Sequence, residues 1–467
     1  MAERRPKVGL LMLGAKWFWE TKMVDQTLVE LIKSDVAMIE QALSKGLDLV
    51  SSGLVTTEEQ ARVAAARFAE ENVDLVLFCS VIWSEDQPAL AVLREIGHLP
   101  LVYWCYTPCA KLPSEMTVSD LIRWSGPVGA QQTGGAIRRF NKDLGFVVGS
   151  LDDRNVIKEI YEYAEAAKLV KDLKNFKIGL LPCHYDVMTN TFVDEFALMS
   201  RIGPVVRYVS VAELLSTTKE VKESELDMFV NELRRRYEIV NISERGMSHA
   251  ARVSLGLARL VDRLGLDALS ISDCNEELHK VLGCRPCLYD GAIREKGVIV
   301  GMEGDLLCLT GQIILSRLMK SPAMFTEIFT FDLAENILLL GHAGMHDPSL
   351  AKNDSQIKIT PDYEYPNEES GVWMSFAARE GPVTLLSIVS RRDSFGLVVA
   401  RGEALPSNTK LQGYPHILIK PGALVRDFLQ TASKAGATQH WAIIHGDAVG
   451  KLVKLADFLK LERLIVG

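Results

Sequence analysis

Four segments of the chain set a carboxylate or an imidazole where an apolar run meets glycine or a turn. In Val298-Ile-Val-Gly-Met-Glu303-Gly-Asp305 a strand ends in glycine, presents a carboxylate, and a helix begins at Asp305. That is the C-terminal edge of a parallel sheet, where open α/β folds build their sites. In Met324-Phe-Thr-Glu327-Ile-Phe-Thr-Phe331, Glu327 interrupts an aromatic strand and shares its parity, hence its face, with Phe325, Phe329 and Phe331. A carboxylate on such a face needs a partner, because an unpaired buried charge is costly. Leu338-Leu-Leu-Gly-His342 places a histidine at the tip of a buried strand, and Gly436-Ala-Thr-Gln-His440-Trp-Ala-Ile-Ile-His445 carries two more. Glu303, Glu327, His342 and His440 together suit a divalent ion of the Mn²⁺, Co²⁺ or Mg²⁺ type, with coordination positions left for two substrate oxygens. Each residue alone has a plainer reading: a strand-end histidine satisfied in the core, or a buried glutamate paired with Arg or Lys. No basic residue stands beside either glutamate, which favours the metal. His445 is either an orienter of a ligand or a rim histidine.

Positioning such a set takes strands and helices in alternation. Lys7–Leu13, Val73–Cys79 and Leu99–Cys105 are short apolar runs, separated by segments of helical spacing at Met23–Leu43 and Thr56–Glu70. Runs apolar on both faces predict central parallel strands covered by helices. The pattern restarts at Phe176–Leu181, with a strand at Val205–Val211, helices over Glu223–Arg236 and Glu244–Leu264, a strand at Leu266–Ile271 and a helix at Asp305–Met319. Beyond about residue 323 the strand-like runs Met324–Phe331, Ile337–Gly341, Val372–Ala378, Val383–Ser390 and Leu397–Arg401 follow one another with few helical stretches between. The reading is α/β: two three-layer parallel-sheet domains, 1–173 and 174–322, then a β-rich, antiparallel barrel-like domain, 323–467.

The 467 residues carry 48% hydrophobic and 24% charged side chains with a net charge of −8, which speaks against disorder and against a dedicated nucleic-acid binder. No apolar run reaches the length of a membrane span, and Val8–Gly14 reads as a first strand instead of a signal peptide. The eight cysteines lie mostly in apolar runs, as reduced thiols do, so a cytoplasmic location is expected. Cys284-Arg-Pro-Cys287 lacks a second pair for structural zinc; it reads as inert, with redox or metal chemistry as the alternative. There is no GxGxxG, GxxxxGK[ST], HExxH or GxSxG.

GMEGD around Glu303, FTEIFTF around Glu327, LLLGH at His342 and GATQH at His440 make the chain resemble the L-arabinose and L-fucose isomerase group of ketol isomerases. The N-terminal part matches more loosely, through Leu13-Gly14 and Gln132-Thr-Gly-Gly135. The resemblance implies that the quartet binds Mn²⁺ and that Glu303 and Glu327 also handle protons. It implies two α/β domains and a β-rich one, assembled as a homo-oligomer with a hexamer favoured, each site completed by a neighbour's N-terminal domain. The substrate is then a small sugar, converted from aldose to ketose through a cis-enediol. Lys16, Phe18, Trp19, Trp83, Gln132, Tyr185 and His445 are the candidates for substrate contact. Lys16 departs from the neutral amide of arabinose isomerases: it pairs with a carboxylate such as Glu20 or Glu85, sits at the surface along a Trp, or holds an anionic substrate group. The same quartet would serve an epimerase or an aldolase-like enzyme, and a non-catalytic sugar-binding protein is the reading from another class.

Overall fold

The computed structural model describes residues 4–21, 23–364, 371–392, 394–407 and 410–467. The chain divides into two compact units, Met1–Lys171 and Asp172–Gly467.

The first unit holds a sheet of β1 (Lys7–Leu13), β2 (Asp48–Val55), β3 (Leu75–Ser80), β4 (Leu101–Tyr106) and β5 (Gly145–Gly149), all parallel, in the order β2-β1-β3-β4-β5. β3 and β4 are buried along their whole length, which is why they read as continuous apolar runs. Parallel neighbours need crossovers, here the helices Gln26–Ser44, Glu58–Glu70, Gln87–Ile96 and Gly126–Arg139. Propensity does not predict the last, which contains four glycines. Close approach explains two of them. A Cβ on Gly126 would lie 2.5 Å from the carbonyl oxygens of Ser80 and Tyr106, and one on Gly129 would lie 2.8 Å from Ser80 and Ser84. The helix therefore rests directly on the C-terminal ends of β3 and β4.

The second unit holds three sheets. Its strands are β6 (Lys177–Leu181), β7 (Val205–Tyr208), β8 (Glu238–Ile239), β9 (Ala268–Ile271), β10 (Ile299–Met302), β11 (Met324–Asp332), β12 (Ile337–Gly341), β13 (Lys358–Pro361), β14 (Val372–Ser375), β15 (Gly381–Ser390), β16 (Phe395–Ala404), β17 (His416–Pro421), β18 (His440–His445) and β19 (Glu462–Val466). The first sheet is parallel, in the order β10-β9-β6-β7. In the second, β15-β18-β11-β12-β17-β16 run antiparallel, and the β15–β16 pairing closes them into a ring to which β19 adds in parallel. The expected barrel-like β-rich region is thus present. The third sheet, β14-β13-β8, is small. The helix Leu306–Met319 is apolar nearly all round and packs against β9, β10, β15 and β18, so it joins the parallel sheet to the barrel.

Two expectations change. The strand near Val205 ends at Tyr208, because Ser210 and Glu213 form a capping box that starts a helix at Val211. The shared face of Phe325, Glu327, Phe329 and Phe331 does not survive: the register of β11 on β12 shifts between Ile328 and Thr330. A bulge adds one residue, so Phe331 leaves the face of Glu327 and is 49% exposed.

Candidate metal centre

Glu303 follows β10 at the C-terminal edge of the parallel sheet, in the turn that leads into Leu306–Met319. His342 follows β12 and His440 opens β18, so both come from the end of the barrel that this helix reaches. One ligand atom from each of Glu303, His342 and His440 lies within 4.8 Å of the other two, and all three residues are buried. His342 Nε2 stands 3.7 Å from Glu303 Oε1, and His440 Nε2 stands 3.0 Å from Glu303 Oε2. That second pair is close enough for charge attraction but is not aligned as donor and acceptor. Glu303 Oε2 and His440 Nε2 are both buried without a hydrogen-bond partner. Buried polar atoms are nearly always satisfied. Two orphans that face one another, a carboxylate oxygen and an imidazole nitrogen, are the donor set a divalent ion takes.

The surroundings fix these atoms. His440 Nδ1 lies 2.9 Å from Asp305 Oδ2, and His342 Nδ1 lies 2.6 Å from the Ala343 carbonyl. Both acceptors hold the proton on Nδ1 and turn Nε2 inward, as metal-binding imidazoles require. Asp305 also caps the helix, accepting from the amides of Leu307 and Cys308. Glu303 has φ +57°, and the Glu303 amide donates to Asp273 Oδ1 at 2.9 Å. A left-handed non-glycine residue costs roughly 1–2 kcal/mol. Gly304, also left-handed, admits the neighbouring chain: a Cβ there would lie 2.7 Å from the Cys183 carbonyl oxygen. The Cys274 thiol, pushed up by burial and then by the Asp273 charge, stays protonated and donates to Glu303 Oε1 at 3.8 Å.

Burial pushes the Glu303 carboxyl up, but its contacts with His342 and His440 overcome this and hold it well below the usual range. Burial lowers His440, while Asp305 and Glu303 lift it to about 9; His342 is likewise raised, by Glu303 against its burial. The two buried carboxylates, Glu303 and Asp305, call for a positive charge between them.

Glu327 pairs in register with both Gly341 and His440, which puts it on the face of β11 that carries Phe325 and the two histidines. Its charge raises His342. Its carboxylate is not part of the mutually close group of three, so the structure brings together three of the four expected ligands and sets the fourth beside them. Tyr185, after β6, is near enough for Glu303 to raise its phenol, after the larger effect of burial. His445 is not brought to the site. It ends the strand that His440 begins, an odd number of residues away, so it faces the other side of the sheet roughly 17 Å along. There it lies 2.7 Å from the Arg379 carbonyl.

The remaining candidates belong to the first unit. Lys16, Phe18 and Trp19 lie in the helix Lys16–Glu20 after β1, and Trp83 follows β3. Between β1 and β3 the strand order reverses, which is where such sheets bind ligands. Phe18 is buried and Trp17 and Trp19 are half-buried; Trp17, Phe18 and Trp83 form a ring cluster with centroids 4.2–5.6 Å apart. Trp83 Nε1 donates to Gln132 Oε1 at 3.1 Å. Lys16 pairs with Glu20 at 2.9 Å, as one of its readings expected. The aromatics cover one another instead of standing open. Sequence reasoning missed Asp305, Asp273, Cys274 and His184, whose Nδ1 lies 3.1 Å from the Gly304 carbonyl. The signal available was an Asp or His directly after an apolar run, at Ser272-Asp273 and Cys183-His184.

Residues 322–462 match the L-arabinose isomerase C-terminal domain family. A sulfoquinovose isomerase of Priestia megaterium is 22% identical over 410 residues, 88% of this chain and 89% of its own. One from a Clostridium species is 23% identical over 401 residues, 84% and 88%. An L-arabinose isomerase of Thermotoga neapolitana is 25% identical over 332 residues, 68% and 66%. Among solved structures, a periplasmic solute-binding protein of Actinobacillus succinogenes with bound D-allose covers 59% of this chain and 81% of its own at 11% identity; its TM-score of 0.17 gives it no weight. With that domain match in its C-terminal part and such relatives along most of its length, the chain is similar to the arabinose isomerase and sulfoquinovose isomerase group of sugar isomerases.

Proposed function

We propose that the chain is a divalent-metal-dependent aldose–ketose isomerase, with Mn²⁺ the favoured ion. The observation that carries this is the pair of facing, unpartnered buried atoms, Glu303 Oε2 and His440 Nε2, beside His342. Glu303, His342 and His440, with Glu327 as a fourth, would hold the ion, which would supply Lewis acidity to an open-chain aldose. Glu327, on the same strand face but outside the close group, takes the proton from C2 and returns it to C1, with a cis-enediol between. Glu303 moves a proton between the two oxygens. Phe325, against both imidazoles, keeps water from the enediol side.

The sugar is a sulfonated aldose in the reading supported by relatives named sulfoquinovose isomerase, and a neutral pentose in the reading supported by those named L-arabinose isomerase. An epimerase or aldolase on the same centre would release a different product. The deciding experiment strips the protein with chelator and reloads it with Mn²⁺, Co²⁺ or Mg²⁺. It then measures ketose from sulfoquinovose, L-arabinose, L-fucose and D-arabinose. Ketose from at least one sugar, lost with the ion, is expected; activity that persists without the ion, or no ketose from any sugar, sinks the reading.

The working form in this proposal is a cytoplasmic homo-oligomer, a hexamer by preference, in which the aromatic shelf at Lys16–Glu20 and Trp83 completes a neighbour's site. Eight free cysteines suit that compartment. No described helix is long and apolar enough to cross a membrane. Mixing two inactive variants, Glu303→Gln and Trp83→Ala, tests the sharing: activity returns in the mixture if sites draw on two subunits and stays absent if they do not.

A further inference from the structure

Arg285, in the Cys284-Arg-Pro-Cys287 segment, is 1% exposed, and the catalytic reading gives it no role. Its guanidinium grips one oxygen of Asp273, Oδ2, through both Nε at 2.9 Å and Nη2 at 2.8 Å, and the carboxylate is also fully buried. It further meets Glu364 at 2.5 Å and Asp362 at 3.5 Å, and its carbon lies 5.4 Å from the ring centre of Trp373. The other oxygen of Asp273 accepts the amide of Glu303, the left-handed residue at the metal centre. A chain of contacts therefore runs from the small sheet, through Arg285 and Asp273, to the backbone that aims the Glu303 carboxylate.

We propose that Arg285 is a positioning residue for the metal centre: it locks Asp273 so that Asp273 holds Glu303 in its left-handed turn with the carboxylate facing His342 and His440. The inference rests on the reading of that centre as a metal site. A left-handed glutamate relaxes unless its neighbours over-determine it. Oδ1 of Asp273 accepts the Glu303 amide while two donors of the planar guanidinium fork hold Oδ2, so the carboxylate is fixed from both ends. Lysine keeps the charge and loses the fork.

The test is Mn²⁺ binding to the chelator-stripped full-length protein, read as free Mn²⁺ by electron paramagnetic resonance well below melting. Arg285→Lys and Asp273→Asn are each expected to weaken binding about 10–100-fold, the usual cost of losing a residue that orients a ligand. Arg285→Met should weaken it more than Arg285→Lys. The control is Arg123→Lys, which disturbs an ion pair with buried Asp35 in the first unit: it should lower the melting temperature and leave Mn²⁺ affinity unchanged. Unchanged affinity in folded Arg285→Lys overturns the proposal. So does failure of both Arg285→Lys and Asp273→Asn to fold, since the network is then needed for folding as such. A wild type that binds no Mn²⁺ overturns the metal reading itself, which separates the two failures.

Discussion

The two parallel sheets share one topology and carry opposite chemistry. Order β2-β1-β3-β4-β5 in the first unit and β10-β9-β6-β7 in the second both place the third strand beside the first, on the side away from the second. Each thereby creates a reversal point, at whose loops open α/β sheets generally build their sites. In the first unit those loops carry Lys16, Trp17, Phe18, Trp19 and Trp83, held by ring contacts and by an exposed lysine–glutamate pair. In the second they carry His184 and Asp273, and the next strand's loop adds Glu303; hydrogen bonds to the Gly304 carbonyl and the Glu303 amide and the buried His440–Glu303 ion pair hold them. Buried charges must be compensated and oriented, so that edge is rigid and suited to chemistry. Aromatic rings tolerate varied neighbours, so the other edge suits recognition. One fold unit, used twice, supports both because the loops and not the strands decide the use.

The comparison breaks first at Glu303. Glu303→Gln keeps the shape and removes the charge that draws both imidazoles inward, so turnover should fall by about 10³-fold or more. The melting temperature of the metal-free protein should fall somewhat, because the contacts with His342 and His440 outweigh the burial of the charge and the left-handed backbone is unchanged by the substitution. Chelation of the wild type should reproduce the loss of turnover. A Glu303→Gln enzyme with more than a tenth of normal activity would move the chemistry elsewhere.

Asp305 separates orientation from stability. Asp305→Asn retains an oxygen for the helix cap but no anion for His440 Nδ1, so metal affinity should drop about 10–100-fold with little change in stability. Asp305→Ala should add about 1 kcal/mol of destabilisation from the lost cap, read by urea unfolding. Equal affinities in the two variants and the wild type would show that His440 needs no partner.

How much of this was legible depends on how far the deciding contact lies along the chain. Helices Glu223–Arg236 and Glu244–Leu264 and strand Ile337–Gly341 appear with the bounds expected, because caps and periodicity are local signals. The β8–β13 pairing joins a two-residue strand to one more than a hundred positions on, and nothing local announces it. The glycine-rich helix Gly126–Arg139 is set by the approach to β3 and β4, a tertiary effect that overrides propensity. At the candidate metal centre, the residue types at strand ends were visible. The bulge beside Glu327 and the Asp305–His440 bond were not, for both depend on register between distant strands.

Acid should expose the difference between the units more gently. His346, in the second unit, is buried with Nε2 2.9 Å from the Phe325 carbonyl, and burial holds it down to about 4. Unfolded, it titrates near its ordinary 6.5. Between those values the unfolded chain binds the extra proton, so stability rises with pH across the window. The contribution is whole above pH 6.5 and about 3 kcal/mol poorer by pH 4. Urea unfolding at several pH values should give a shallower slope for His346→Gln than for the wild type; parallel slopes would rule the residue out as the source.

The smallest effect on the fold, and the sharpest on specificity, is expected at Lys16. Its partner Glu20 lies one helical turn away, and both side chains are more than half exposed. Such pairs add little to stability, so Lys16→Met should leave the melting temperature unchanged. The pair is also easily given up: an anionic group arriving at the β1–β3 edge competes with Glu20 for the same ammonium, whereas a neutral sugar offers it nothing better. If the recognition edge serves a sulfonated sugar, Lys16→Met should raise KM for that sugar about tenfold, the loss of one partly screened charge contact, with kcat little changed. L-Arabinose kinetics should not move. A variant that alters both sugars alike would make Lys16 a support for the Trp17–Trp83 cluster, and one that alters neither would confine the ammonium to its pairing with Glu20.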